Sequence, residues 1–284
     1  MKITFCGVRG STPAPGAEFV RYGGNTACVH VELDDATDIV LDAGTGIREL
    51  GKKLAGKKTP VYILLSHNHW DHIQGFPFFI PIYQPNRDII ITPGLTDLKQ
   101  PEAVLDQMTG SYFPVHKNDL AASIRVEPRA VPADKDEDDE WYVSNALVGR
   151  LKMNHPGGGS CYTIKENGHK LAYITDNELY PPYRKQTDFM EFVQFAKGAD
   201  ILIHDAQYLV SDMPAKSGWG HSVAEEAVKL AMACNVKQLA LYSHDPERTD
   251  DDIDEIIAHC NSVIEQGGMD LICFGAREGQ TIVL

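Results

Sequence analysis

Short apolar runs recur along the chain, each the length of a buried strand: residues 39–41 (IVL), 61–65 (VYILL), 171–174 (LAYI), 201–203 (ILI), 239–242 (LALY) and 271–274 (LICF). Residues 225–234 and 253–264 instead place apolar side chains three and four apart, the spacing of one buried helical face, and residues 47–54 predict a shorter helix. Thr249 is an N-cap for the second of these, with acids in the first turn where the helix dipole favours them. The opening stretch, MKITFCGVRGSTPAPG, reads as a first strand and a loop, without a signal-peptide pattern. No internal repeat and no apolar stretch of membrane-spanning length is visible. Strands alternating with helices predict a layered α/β fold, and 284 residues suffice for one large domain or two modest ones.

The residues that follow each strand narrow the picture. The run at 39–41 leads into Asp42-Ala-Gly-Thr-Gly, and that at 61–65 into SHNHWDH. The run at 171–174 ends in Thr175-Asp176, that at 201–203 in His204-Asp205, and that at 239–242 in Ser243-His244-Asp245. In layered α/β proteins the loops beyond the carboxyl ends of strands gather ligand-binding and catalytic groups, so five such endings predict one shared site.

Composition restricts what that site acts on. The chain is 43% apolar and 23% charged, ordinary for a globular protein, but its formal charge is −14, poorly suited to gripping a long nucleic acid through its phosphates. Two acidic runs contribute: residues 134–140 (DKDEDDE), read as a solvated loop, and residues 250–255, read as a first helical turn. The six cysteines, without a CxxC pair, fit reduced thiols and a cytoplasmic setting.

The heptapeptide SHNHWDH at residues 66–72 holds three of the eleven histidines. In an extended segment His67, His69 and Asp71 project to one side and His72 to another, so one loop can serve two neighbouring cations. Imidazole with carboxylate suits zinc, and also manganese or iron.

SHNHWDH resembles the HxHxDH signature of the metallo-β-lactamase superfamily. DAGTG before it, His155 in NHPGGG, Asp176 in YITD and His244 near the end follow in that family's order, over essentially the whole chain. The resemblance implies a single domain over residues 1–284, a four-layer αββα sandwich, with two divalent metal ions, most simply zinc. It implies that His67, His69 and His155 hold one ion, that Asp71, His72 and His244 hold the other, and that Asp176 bridges them. A pair of cations with open positions implies hydrolysis by a metal-bound hydroxide, with Asp71 also counted among the catalytic residues. Asp42 and His204 read as structural, as do His30, His169 and His259.

Three later pieces turn the resemblance toward one branch. HDAQY (204–208), GHS (220–222) and YSHDPER (242–248) resemble the HEAT, GHS and HFSxRY elements of ribonuclease Z-like phosphodiesterases. Carried over, Asp205 orients His221, and His221 acts as general acid toward the leaving oxygen. Asp205 stands where that branch commonly has Glu, which requires a closer approach to His221. Ser222-x-x-Glu225 reads as a capping box opening the next helix. The segment between Asp176 and Ile201 is too short for the basic arm with which ribonuclease Z holds transfer RNA. The start, GVRGSTPAPG with RYGGNTACVHVE, resembles small cyclic-nucleotide phosphodiesterase-like proteins. The expected substrate is therefore a small phosphodiester, with a cyclic nucleotide foremost, and neither a long nucleic acid nor a membrane is an expected partner. A homodimer stays open as the assembly, as does a pocket-lining role for His116 with Tyr112 and Phe113. The competing readings are hydrolysis of a carboxylic ester, thioester or lactone at the same centre, an iron-binding or redox protein without hydrolysis, and RNA 3′ processing.

Overall fold

The computed structural model describes residues 1–128 and 139–284. Six strands lead the chain: β1 (Lys2–Gly7), β2 (Cys28–Glu32), β3 (Asp38–Leu41), β4 (Val61–Leu64), β5 (Asp88–Thr92) and β6 (Ser123–Val126). Eight follow: β7 (Asp139–Val143), β8 (Ala146–Lys152), β9 (Ser160–Glu166), β10 (His169–Ile174), β11 (Ile201–Asp205), β12 (Gln238–Tyr242), β13 (Ile272–Gly275) and β14 (Thr281–Val283). The α-helices are α1 (Ile47–Leu54), α2 (Trp70–Ile73), α3 (Ala103–Asp106), α4 (Phe189–Ala196), α5 (Ala224–Cys234) and α6 (Asp250–Gln266).

The strands form two seven-stranded sheets, ordered β14-β1-β2-β3-β4-β5-β6 and β13-β12-β11-β10-β9-β8-β7. Each is antiparallel in one half and parallel in the other. β3 to β6 run parallel in the first sheet, and β10 to β13 in the second. Three apolar layers explain the stacking. Phe5, Val29, Leu64, Tyr162, Tyr173 and Tyr242 belong to the layer between the sheets. α4, α5 and α6 cover the outer face of the second sheet through residues such as Phe192, Leu230 and Ile264. α1 and the segment around Phe76 and Phe79 cover that of the first. The result is the αββα sandwich expected from the sequence, each sheet screened on both faces as parallel strands require.

Every strand and helix anticipated above forms, with ends shifted by a few residues. Thr249 caps α6 as expected, its hydroxyl accepting the Asp252 amide at 3.2 Å while the Asp252 carboxylate returns the bond at 2.7 Å. Asp139 and Glu140 of the first acidic run open β7, whereas residues 134–138 lie outside the described residues. The segment after Asp176 lies on the body of the fold. Asn177, Glu178, Leu179 and Thr187 are buried, and Asp188 with Glu191 forms a capping box at the start of α4.

Candidate metal centre

Because β3 and β4 are parallel neighbours, as are β10, β11 and β12, their carboxyl ends meet along one edge of the sandwich. The loop leaving β4 stays extended through His69 and then turns into α2, which begins at Trp70. His67 and His69 therefore come from extended chain, and Asp71 and His72 from a helical turn. Gly94 holds this loop in place: a Cβ there would lie 1.9 Å from the carbonyl oxygen of Ser66, so only glycine lets the end of β5 pass so close.

Asp42 organises the loop from beneath. It is fully buried and in the left-handed region at φ 61°. It accepts the Ser66 amide at 2.7 Å, the Ser66 hydroxyl at 2.8 Å, His72 Nδ1–H at 2.9 Å and the Tyr173 hydroxyl at 2.8 Å. The Ser66 oxygen, its proton committed to Asp42, can accept from His67 Nδ1 at 3.0 Å. One carboxylate thus fixes two imidazoles with their Nε2 atoms turned outward, the arrangement by which carboxylates orient metal-ligating histidines. The structural role expected for Asp42 agrees with this geometry.

Those outward atoms converge on Asp176. Its Oδ2 is 3.1 Å from His72 Nε2 and 3.8 Å from His67 Nε2. Its Oδ1 is held by the Thr175 hydroxyl at 2.9 Å and the Ser243 hydroxyl at 3.3 Å. Asp71 Oδ2 lies 3.2 Å from His72 Nε2 and accepts the Ser11 amide at 2.8 Å. His155 donates Nδ1–H to the Gly220 carbonyl at 2.9 Å, leaving its Nε2 3.0 Å from His69 Nδ1. Gly220 sits at φ 88°, and a Cβ there would meet His155 Nδ1 at 2.1 Å, so this approach too requires glycine.

His221 joins the same edge. Its Nδ1 donates to Asp205 Oδ2 at 2.8 Å, and Asp205 also accepts the Asn177 amide at 3.1 Å and the Gln207 amide at 2.9 Å. The shorter acid does approach closely enough to pair with His221. The expected Ser222 capping box does not form. Ser222 donates to the Asn177 carbonyl at 2.6 Å, and α5 begins at Ala224 without a side-chain cap. Ser222 ties the loop bearing His221 to the strand end bearing Asp176.

His244 is the second departure. Ser243 adopts φ 57°, and consecutive side chains there face opposite ways. Ser243 turns toward Asp176, while His244 Nε2–H donates to the Ala276 carbonyl at 2.8 Å and the ring lies edge-on to Tyr22. His244 is absent from the cluster in which the sequence placed it. His204, His30 and His259 hold structural contacts, with the Asp205 carbonyl, Asp38 and Glu225 respectively, and His169 lies 3.5 Å from Asp200. His116 and Tyr112 are exposed, and His116 Nδ1 accepts the amide of Asn118, so neither lines the edge cleft described below.

Burial and neighbouring charge divide the histidines. Burial drives His67 far below the usual imidazole range and brings His155 down to about 4, so both are neutral donors. Burial also opposes charge on His72 and His221. Asp176, Asp71 and Asp42 outweigh it at His72, and Asp205 with Asp176 raises His221 to about 9. Asp176, though buried, is held well below the carboxylate range by His72 and His221.

Among the described residues, three trios bring their donor atoms within 4.8 Å of one another: His67, His69 and His155; His67, His72 and Asp176; His155, Asp176 and His221. His67 Nε2 is buried and has no hydrogen-bond partner among the described residues, a costly condition for an imidazole facing a carboxylate. A divalent cation would satisfy it, so the residues present fit a metal centre. The cluster opens to solvent through a cleft of about 530 Å³ lined by Ser11, Asn68, His69, Trp70, Asp71, Asp176 and His221. Trp70, at its mouth, is 76% exposed. Sequence reasoning did not single out Trp70, Ser66, Tyr173 or Ser243. The first two lie inside the heptapeptide, but nothing in the sequence marks Tyr173, which reaches Asp42 from the opposite sheet.

A model described as the Beta-lactamase superfamily domain matches residues 37–244. Ribonuclease Z of Picrophilus torridus is 24% identical over 88% of this chain and 87% of its own length, and ribonuclease Z of Thermoplasma volcanium 25% over 88% and 89%. Among solved structures, the metallo-beta-lactamase fold protein YhfI from Bacillus subtilis superposes with a TM-score of 0.68 at 18% identity, over 99% of this chain and 98% of its own. Human tRNase Z, short form, superposes with 0.64 at 18% identity, over 100% and 99%. Convergent histidines and carboxylates at the strand ends, with a family model spanning the segment that carries nearly all of them, show that the chain belongs to the beta-lactamase superfamily and is a metal-dependent hydrolase of it.

Proposed function

We propose that the protein is a phosphodiesterase acting on a small phosphodiester, with a cyclic nucleotide as the leading substrate, at a centre of two divalent cations, zinc foremost. The observation that carries this reading is the His221–Asp205 pair at 2.8 Å, with His221 clustered against Asp176 and His155. His67, His69, His155, Asp71, His72 and Asp176 are the residues that would hold the cations. Bound there, divalent cations supply a Lewis acid for phosphoryl oxygens and lower the pKa of water.

The chain's own groups account for the rest. Asp205 accepts from His221 Nδ1–H and so directs Nε2–H into the cleft, where it can protonate a leaving alkoxide. A phosphodiester needs that proton far more than a thioester does, because its alkoxide leaving group is far more basic than a thiolate. Trp70 offers an exposed planar face beside His69, suited to stacking a nucleobase. Among the described residues no lysine or arginine lines the cleft, which favours a substrate with one phosphate over a long RNA held by many. The relatives named ribonuclease Z and a structural neighbour described as a diphosphatase from the PhnP family, which superposes at a TM-score of 0.65, support phosphoryl chemistry. The six cysteines are all free and buried, in keeping with a reducing cytoplasm. No helix among the described residues is long and apolar enough to cross a membrane.

His221→Ala is expected to lower kcat by about 10²–10⁴-fold with metal content unchanged, as loss of a positioned general acid does. Loss of metal in that variant would instead make His221 a ligand. Trp70→Ala is expected to raise KM for a cyclic nucleotide by about 5–100-fold and to leave bis(p-nitrophenyl) phosphate less affected, since one base stack is worth about 1–3 kcal/mol. Profiling cyclic mononucleotides, short RNAs and lactones side by side tests the substrate class, and turnover confined to lactones would overturn it.

A further inference from the structure

The two halves of the cluster are unequally equipped, and the inequality begins at the end of β12. One half gathers three imidazoles: His67 Nε2, His69 Nδ1 and His155 Nε2, with Asp176 Oδ2 at 3.8 Å from the first. The other has one imidazole, His72 Nε2, with Asp71 Oδ2 at 3.2 Å and Asp176 Oδ2 at 3.1 Å. β12 brings no imidazole to this second half. Its Ser243 hydroxyl contacts Asp176 Oδ1 at 3.3 Å and Gln207 Oε1 at 3.3 Å. The Gln207 amide in turn donates to the Ser11 hydroxyl at 3.2 Å. His244 cannot replace Ser243 by a rotamer change alone, because its backbone is fixed by bonds from its own amide to the Val8 carbonyl at 2.9 Å and from the Gly10 amide to its carbonyl at 3.0 Å.

We infer that the centre is asymmetric: a tight site of three imidazoles and a weaker, oxygen-rich site of His72, Asp71 and Asp176, bordered by the Ser243 and Gln207 oxygens, that exchanges its ion and accepts manganese. This rests on the proposed metal centre and deepens it. Donor chemistry gives the direction. Imidazole nitrogen suits zinc, whereas carboxylate, hydroxyl and amide oxygens with added water suit manganese or magnesium. Both acids are partly committed elsewhere: Asp71 Oδ2 to the Ser11 amide, and Asp176 Oδ1 to the Thr175 and Ser243 hydroxyls. That leaves Asp176 Oδ2 as the atom shared between the sites, so the second ion has fewer undivided protein donors than the first.

The test is metal titration of the chelator-stripped full chain against a chromophoric competitor, with zinc and then manganese as probes and no activity readout. Two classes of zinc site are expected, the first about tenfold tighter than the second or more. Manganese should enter a chain already holding one zinc without releasing it. His69→Ala should remove the tight class, and His244→Ala should leave both classes in place. Two zinc ions bound with equal affinity would overturn the inference, as would loss of the second ion in His244→Ala, while leaving the metal-dependent function standing. A chain that binds no zinc at all would overturn the metal centre itself, so the two failures are distinguishable. Cobalt gives an independent reading. The first equivalent should show the intense visible bands of low coordination and the second only weak ones. Two equally intense increments would contradict the asymmetry.

Discussion

His67→Ala should abolish the tightly bound metal and lower phosphodiester hydrolysis by about 10³-fold or more, since removal of a central metal ligand takes away the Lewis acid on which the reaction depends. His67 is central because its buried Nε2 has no hydrogen-bond partner among the described residues and faces Asp176 Oδ2 at 3.8 Å. The variant should stay folded. Ser66 keeps its bonds to Asp42, and losing an imbalanced polar group costs less than losing a satisfied one. Metal analysis with thermal unfolding separates the outcomes: full metal content in a folded variant would show that the cluster does not bind through His67.

Asp42→Ala should be the most damaging single change to the fold of the site. Four donors lose their acceptor at once: the Ser66 amide, the Ser66 hydroxyl, His72 Nδ1–H and the Tyr173 hydroxyl. Hydrogen bonds to a charged group are worth about 1.5–3 kcal/mol each but do not add, so a net loss of about 3–5 kcal/mol is expected. Alanine at φ 61° adds strain that aspartate tolerates better. Metal affinity should fall by about 10–100-fold beyond any unfolding, because His67 and His72 lose the contacts that set their orientation. Asp42→Asn is the discriminating variant. It keeps the size and the tolerance of the left-handed region, yet cannot accept from His72 on its NH₂ side. It should fold better than Asp42→Ala while remaining impaired in metal binding. Chemical denaturation and metal titration on both variants measure the two effects separately.

The site was legible in the sequence where chemistry and spacing coincide in a few residues. SHNHWDH, the strand endings at Asp42 and Asp176, and the pairing of Asp205 with His221 are local or ordered signals, and the structure brings these residues to one edge. His244 was misread because a positive φ at Ser243 reverses which side chain faces the edge, and no residue type announces that turn as glycine would. Ser222 was misread for a related reason. A Ser-x-x-Glu pattern fits a capping box, but the serine found a tertiary acceptor at the Asn177 carbonyl instead. In the fold, β10 to β13 and β3 to β4 carried continuous apolar runs. β7 to β9 did not, because buried polar residues interrupt them: Arg150, which pairs with Asp139 across the β7–β8 ladder, and Glu166, which accepts the Asp34 amide at 2.9 Å. The apolar run in β5, Asp88–Thr92, carries the same signal as its neighbours.

As proposed above, metal held by this cluster would make the chain a phosphodiesterase. The most direct measurement follows hydrolysis of bis(p-nitrophenyl) phosphate and a cyclic mononucleotide by the purified chain, before chelation, after chelation and after stoichiometric zinc or manganese is restored. Activity should vanish on chelation and return with the metal, and His221→Ala should carry the restored metal without the restored rate toward the cyclic mononucleotide, whose leaving alkoxide needs the proton. Turnover that persists in a chain shown by elemental analysis to be metal-free, or a fully loaded chain inert toward every phosphodiester offered, would contradict the claim.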